Sequence, residues 1–367
     1  MKILYVATVS GTINAFLVPH ITMLLELGHK VDIACNITRP ISEILLNSGC
    51  NIYNMKFNRS PLAKENLKEY AHLKKVIKEE KYDLVHTHTP VASAIVRLAC
   101  KDIKNVKVFY TAHGLHFYKG ALLRNWLIFY PIERWLAKYT DVLITINRED
   151  FKRSKKLLKA KRIEYIPGVG LDTRKFGDIF IDRIKKRQEI GIPEDAFLIL
   201  STGELNKNKN HETIIRAIAK LNNTNIYYVI CGQGPLENYL NRLIKEIKLN
   251  KQVKLLGFRN DIDEICKVSD IFAFPSYREG LGIAALEAMA SGLPLITSNV
   301  HGIPDYSING VTGFSYSPSN VDGFANAIDI LYRDVRLREK IRRHNSVVAQ
   351  KYDVKNIISK MKNIYGI

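Results

Sequence analysis

Glu279 and Glu287 bracket the run Glu279-Gly280-Leu281-Gly282-Ile283-Ala284-Ala285-Leu286-Glu287, two carboxylates separated by seven residues with glycines close behind the first. Glycines, then helix formers, then Gly292 ahead of Pro294 predict a loop that turns into a helix, starting near Gly282 and stopping at Gly292 as its C-cap. A helix start offers unpaired backbone N–H groups and the positive end of a dipole, which suits a phosphate. With Glu279 at the mouth and Glu287 about two turns inside, the carboxylates could hold two separate polyol portions of one long ligand with the outline of a nucleotide sugar. The plainer alternative has Glu279 favouring the helix dipole and Glu287 as a solvated helix residue.

Other residues of chemical interest fall at the ends of expected strands. Gly11, in Val9-Ser10-Gly11-Thr12-Ile13, would allow backbone to approach a diphosphate closely, or merely make a tight turn. His113 follows a strand ending at Thr111 and precedes Gly114, which predicts an imidazole free at the carboxyl edge of a sheet. His86 and His88 share one strand face and mimic a metal pair, but no third ligand has suitable spacing, so satisfied hydrogen bonds or site lining is the better reading. Glycine loops recur at Gly203, at Cys231-Gly232-Gln233-Gly234-Pro235 and at Gly257-Phe258-Arg259. Asp261-Ile262-Asp263 imitates a metal-binding pair yet opens a helix, where aspartates are ordinary caps.

Short β-branched runs alternating with amphipathic segments argue for parallel sheets wrapped by helices. In the first half, strands are predicted over Lys2 to Ala7, Lys30 to Cys35, Asn51 to Met55, Leu84 to Thr87, Lys107 to Thr111, Val142 to Ile146 and Ile163 to Ile166. Helices are predicted over Ala15 to Leu27, Leu67 to Glu79 and Ala92 to Ala99. After Pro167-Gly168-Val169-Gly170 the alternation restarts, with strands over Phe197 to Ser201, Ile226 to Ile230, Val253 to Leu256, Ile271 to Phe274 and Leu295 to Thr297. The expected fold is therefore α/β: two doubly wound Rossmann-like domains facing across a cleft, joined at the Pro/Gly run. Such sheets bind ligands beyond the carboxyl ends of their strands, where every residue above would lie. A last helix, Val354 to Tyr365, has no strand after it.

The stretch Pro275-Ser276-Tyr277-Arg278-Glu279-Gly280-Leu281-Gly282, continued by Glu287-Ala288-Met289-Ala290-Ser291-Gly292-Leu293-Pro294, resembles the signature of glycosyltransferase family 4, retaining enzymes of the GT-B fold. The runs Thr111-Ala112-His113-Gly114-Leu115-His116-Phe117-Tyr118 and Tyr130-Pro131-Ile132-Glu133-Arg134-Trp135 resemble its bacterial capsule and exopolysaccharide branch. The resemblance implies an acceptor-binding domain over residues 1–167, a nucleotide-sugar domain over 171–350 and a tail, 351–367, that crosses back onto the first domain. It implies transfer of a hexose or N-acetylhexosamine from a nucleotide sugar, UDP-linked for preference, without a metal or other cofactor. His113 would orient the transferring sugar, Glu279 bind its hydroxyls and Glu287 bind the ribose. Gly11, Lys209, Gly232, Arg259, Gly280, Leu281, Gly282 and Ile283 would surround the donor, with Lys209 and the Gly282 and Ile283 amides on its diphosphate. Glu204 stands where the family usually has a phosphate-binding arginine, which shifts charge neutralisation onto Lys209, with Lys207 beside it. Front-face attack, with the leaving phosphate taking the acceptor proton, is the mechanism implied; a GT-B epimerase or phosphorylase is the alternative.

Composition bounds these readings. The chain has 367 residues, 46% hydrophobic and 25% charged, which is globular and longer than one core usually serves. Neither a secretory signal nor a spanning segment is apparent, and five scattered cysteines without a C-x-x-C read as reduced, cytosolic and structural. The net charge is +19, with +13 of it in residues 1–170. Seven basic residues from Lys152 to Arg162 are expected on one helix, after a Leu122 to Lys138 segment rich in both aromatic and basic side chains. Together they suit an anionic headgroup layer, or else a core stripe beside a solvated face. The resulting expectation is a cytoplasmic enzyme on the inner membrane face, with a polyprenyl-diphosphate-linked saccharide as acceptor. A nicotinamide oxidoreductase lacks its G-x-G-x-x-G after a strand, and a nucleic-acid binder lacks a reading motif.

Overall fold

Thirteen parallel strands form where the β-branched runs lie, in a computed structural model that describes every residue except Arg59 and Leu62. The first seven are β1 (Lys2–Val9), β2 (Lys30–Asn36), β3 (Ile52–Asn54), β4 (Leu84–His88), β5 (Lys107–Ala112), β6 (Val142–Thr145) and β7 (Arg162–Tyr165). They make a sheet of order β3-β2-β1-β4-β5-β6-β7. The second sheet contains β8 (Phe197–Thr202), β9 (Ile226–Cys231), β10 (Val253–Gly257), β11 (Ile271–Phe274), β12 (Leu295–Ser298) and β13 (Gly313–Tyr316), in the order β10-β9-β8-β11-β12-β13. Each sheet has one reversal of strand order, between β1 and β4 and between β8 and β11, and such points open crevices at the carboxyl ends of the strands. The chain divides into two units, residues 1–170 with 354–367, and residues 171–353.

Both sheets are buried on their two faces, which is why their strands read as continuous apolar runs. In the first unit Leu4, Val6, Val85, Val96 and Leu73 share one core cluster; in the second Ile199, Tyr228, Ile230, Ile271 and Phe324 share another. The final helix, Val354–Tyr365, belongs to the first unit. Its Tyr365 hydroxyl lies 2.5 Å from both Tyr5 Oη and His86 Nδ1, and Gly170 sits so close to Val354 that a Cβ there would meet Val354 Cα at 2.7 Å.

Two local predictions need correction, and one strand was missed. The helix expected over Ala15 to Leu27 is broken into Ser10–Thr12, a π-helical stretch Ile13–Leu17, and Val18–Glu26. Pro19 has no N–H to give the preceding turn, so an α-register cannot run through it, and the wider turn absorbs the mismatch. The basic helix ends at Leu157: Lys159 and Lys161 follow it and Arg162 opens β7, so the seven cations do not share a helical face. The strand β13 escaped sequence reading because Gly313-Phe314-Ser315-Tyr316 is short and begins with glycine, whose lack of a Cβ is required 1.8 Å from Leu295 O.

Candidate functional site

In the second unit, the reversal point between β8 and β11 brings together side chains far apart in sequence. The loop after β8 delivers Lys209, whose Nζ donates to Glu279 Oε1 at 2.6 Å and lies 4.8 Å from the centre of the Phe274 ring. The loop after β11 delivers Glu279 itself. Polar struts fix the two loops to each other: Tyr277 N donates to Asn208 O, Asn208 Nδ2 to Arg278 O, and Asn210 Nδ2 to Pro275 O. Both members of the ion pair are largely buried, at 20% and 13% side-chain exposure, so removing either partner would leave the other charge desolvated and uncompensated. Lys207 in the same loop is not part of it, and Glu204 accepts from Asn206 Nδ2 at 2.8 Å.

The helix that follows Glu279 runs Ile283–Ala290, with Gly282 as its N-cap at φ +88°. Only glycine fits there: a Cβ would stand 2.6 Å from Phe274 Cε1 and 2.9 Å from Tyr306 Oη, and the backbone is left-handed. Gly280, Leu281, Gly282 and Ile283 therefore lead a helix start, whose first N–H groups have no partner within the helix, past the Lys209–Glu279 pair. Glu287 is the fifth residue of this helix, a little over one turn in rather than two. Burial pushes its carboxyl up to about 7, against the pull of Lys175 and with reinforcement from Asp263. The Tyr306 hydroxyl was not singled out in the sequence; it is buried with no hydrogen-bond partner among the described residues, and Glu279 reinforces burial in holding it protonated.

The three glycine loops at the ends of β8, β9 and β10 are stitched side by side, Gly203 N to Cys231 O and Gly232 N to Gly257 O. Gly232 must be glycine, since a Cβ would fall 1.9 Å from Gly203 O. Arg259 points its guanidinium at Asp261 and Glu189, both at 2.5 Å, within a cluster that also holds Lys186 and Glu264. Asp261 sits at the N-cap position of Ile262–Val268 but does not cap; Arg259 and Lys186 claim its carboxylate and hold it far below the usual range.

In the first unit, His113 is not free as the sequence predicted. Its Nε2 lies 3.1 Å from His88 Nδ1, because β4 and β5 are neighbours and the last residue of β4 meets the residue just past β5. His86 Nε2 bonds Thr111 Oγ1, and the His86 and His88 rings lie 4.4 Å apart. Burial, with the nearby His20, pushes His113 down to about 4, so it offers neutral hydrogen-bonding atoms at neutral pH. Among the described residues no three His, Cys, Asp or Glu side chains group so as to hold a metal ion. Gly11, past β1, has open space around its would-be Cβ and lines a cavity with Thr12, Phe16, Arg39 and Lys56.

The aromatic and basic segment splits its composition between two faces. Trp126, Phe129 and Tyr130 pack inward beside Phe117 and Leu143, while Leu123, Leu127, Ile128, Ile132 and Trp135 face outward. No helix among the described residues is long and apolar enough to cross a membrane.

Two doubly wound units, one with a cation and carboxylate at its reversal point beside a glycine-led helix start, define an α/β protein with the crevice that such sheets offer to ligands. Comparison with known proteins narrows this. Residues 182–346 match the family described as glycosyl transferases group 1, and residues 2–147 match glycosyl transferase 4-like. The chain is 35% identical to the putative glycosyltransferase EpsD of Bacillus subtilis, over 100% of this chain and 96% of that one. It is 29% identical, over 91% of this chain and 88% of the other, to the UDP-Gal:alpha-D-GlcNAc-diphosphoundecaprenol alpha-1,3-galactosyltransferase of Escherichia coli. Among solved structures, Anabaena HepE in complex with UDP superposes with a TM-score of 0.82 at 21% identity, covering all of both chains. The chain belongs to glycosyltransferase family 4, with the GT-B fold.

Proposed function

We propose that this glycosyltransferase moves a hexose or N-acetylhexosamine from a UDP-sugar to a polyprenyl-diphosphate-linked saccharide, with retention and without a metal, at the inner membrane face, in capsule or exopolysaccharide synthesis. The observation that carries the reading is the 2.6 Å Lys209–Glu279 contact beside the helix start at Gly282. In it, the ammonium that would neutralise a leaving diphosphate touches the carboxylate that would bind the transferring sugar. Donor binding would draw Lys209 toward phosphate and leave Glu279 to accept from sugar hydroxyls. The anomeric C–O bond to the diphosphate then breaks while the acceptor oxygen bonds the same carbon. The acceptor proton passes to the departing phosphate oxygen, and Lys209 with the Gly282 and Ile283 amides stabilises the negative charge that develops.

Glu287, with its raised affinity for a proton, is suited to the ribose diol, and His113 to the transferring sugar. Gly11, Gly232, Arg259, Gly280 and Leu281 complete the proposed donor surroundings. The names of the relatives support both the UDP donor and the diphosphoundecaprenol acceptor. The test is transfer from a panel of labelled UDP-sugars to a polyprenyl-diphosphate saccharide, with and without chelator, and the anomeric configuration of the product read by NMR. Retained configuration and full rate in chelator are expected; an inverted product, or loss of turnover on chelation restored by metal, would refute the reading. Reaction without any acceptor would point instead to an epimerase.

A further inference from the structure

We infer that the acceptor's polyprenyl tail lies in a second site, an apolar cavity of about 810 Å³ within the first unit. This inference rests on the lipid-linked acceptor proposed above. The cavity begins where a doubly wound sheet binds ligands, at the β1/β4 reversal, with Thr8, Thr12 and Thr89 at that end. Thr8 and Thr89 are joined hydroxyl to hydroxyl at 2.7 Å, which fixes the rim. From there it runs between the helices Glu65–Glu80, Pro90–Cys100 and Leu123–Leu136, and its walls turn apolar: Ala94, Ile95, Leu98, Ile128, Phe129 and Ile132. The volume is that of a ligand-binding cavity rather than a packing defect.

The far end determines what enters. Ile128 and Ile132 line the cavity and are also 54% and 46% exposed, continuous with Leu123 and Leu127 at 72% and 68%. Several large aliphatic side chains on one helix are costly in water, and Arg124, Arg134 and Lys138 accompany them on the same segment. A molecule with a polar head at the strand ends and a long apolar tail leading out along the exposed aliphatic helix satisfies both ends; a soluble sugar satisfies neither wall. The floor is rigid. Arg97, on the helix Pro90–Cys100, is buried and grips Glu133 of the helix Leu123–Leu136 with both terminal guanidinium nitrogens, at 2.8 and 3.0 Å, which ties these two walls at a fixed spacing.

The test compares two acceptors carrying the same saccharide diphosphate, one on undecaprenyl and one on a short alkyl tail, assayed in detergent. Ala94→Trp fills the cavity from a partly buried position, and Ile128→Glu charges its exposed end without touching the core. Each variant should raise KM for the undecaprenyl acceptor about tenfold, while KM for the short-tailed acceptor and for the donor stay within twofold. A benzophenone-bearing farnesyl diphosphate should label peptides from residues 90–98 or 123–136 of the wild-type protein. An unchanged ratio of the two KM values in both folded variants, or labelling elsewhere, overturns the inference. So does equal labelling by a benzophenone phospholipid that the farnesyl probe cannot displace. If neither acceptor is used but the farnesyl probe still labels these peptides, the acceptor reading fails while the prenyl site stands.

Discussion

Glu287→Gln should make the protein more stable at alkaline pH and a poorer nucleotide binder, a combination that a solvated helix glutamate would not give. Burial raises the Glu287 carboxyl from 4.5 to about 7. Between those values the folded state keeps a proton that the unfolded state releases, so stability falls as pH rises through the window and levels off above it. At roughly 1.4 kcal/mol per pH unit the charged form costs the fold on the order of 3 kcal/mol, and partial exposure brings the expected gain from the amide to about 2 kcal/mol. That corresponds to a rise in Tm of roughly 4 to 8 °C at about pH 8.5 and almost none at about pH 5. The buried histidines, including His113, bias stability the opposite way below their ordinary value near 6.5, but they are common to both proteins and cancel in the difference. The assay is urea unfolding of both proteins at the two pH values. UDP calorimetry at about pH 6.5 in buffers of different ionisation enthalpy completes it: wild type should release a proton as ribose hydroxyls satisfy the carboxylate, and the variant should not. An equal stability difference at both pH values, or loss of stability at alkaline pH, would refute the argument from burial.

Four further outcomes are expected. Lys209→Met should lower kcat by about 10² to 10³, because it removes the cation facing the leaving diphosphate, and steady-state kinetics with saturating donor checks it. Gly282→Ala should cost about 2 kcal/mol or more through its left-handed backbone and its clash with Phe274 and Tyr306, measured by urea unfolding, and should abolish donor binding. Tyr306→Phe removes a buried hydroxyl that has no partner, so stability should stay level or rise by about 1 kcal/mol; a clear loss would mean the hydroxyl is bonded. Glu133→Ala strands the Arg97 charge in the interior and should cost about 3 to 5 kcal/mol in the same measurement.

The sequence by itself determined twelve of the thirteen strands and the helix start that follows Glu279. Parallel strands buried on both faces read as apolar runs, so β1, β8 and β11 announce themselves, and glycines followed by helix formers place the helix start at Gly282 within a residue. Signals weakened wherever a neighbour far along the chain supplied the reason. β13 is a strand because β12 lies beside it, and the π-helical turn before Pro19 meets a backbone constraint that apolar periodicity does not report. Tertiary structure alone decided the pairings: that Lys209 meets Glu279, that His113 leans on His88, that Asp261 holds Arg259 instead of capping, and that Glu287 is buried enough to keep a proton. Strand order sets these. A reversal between β8 and β11 brings together loops about 70 residues apart, and desolvation, which sets the charge of what they carry, depends on everything packed around them.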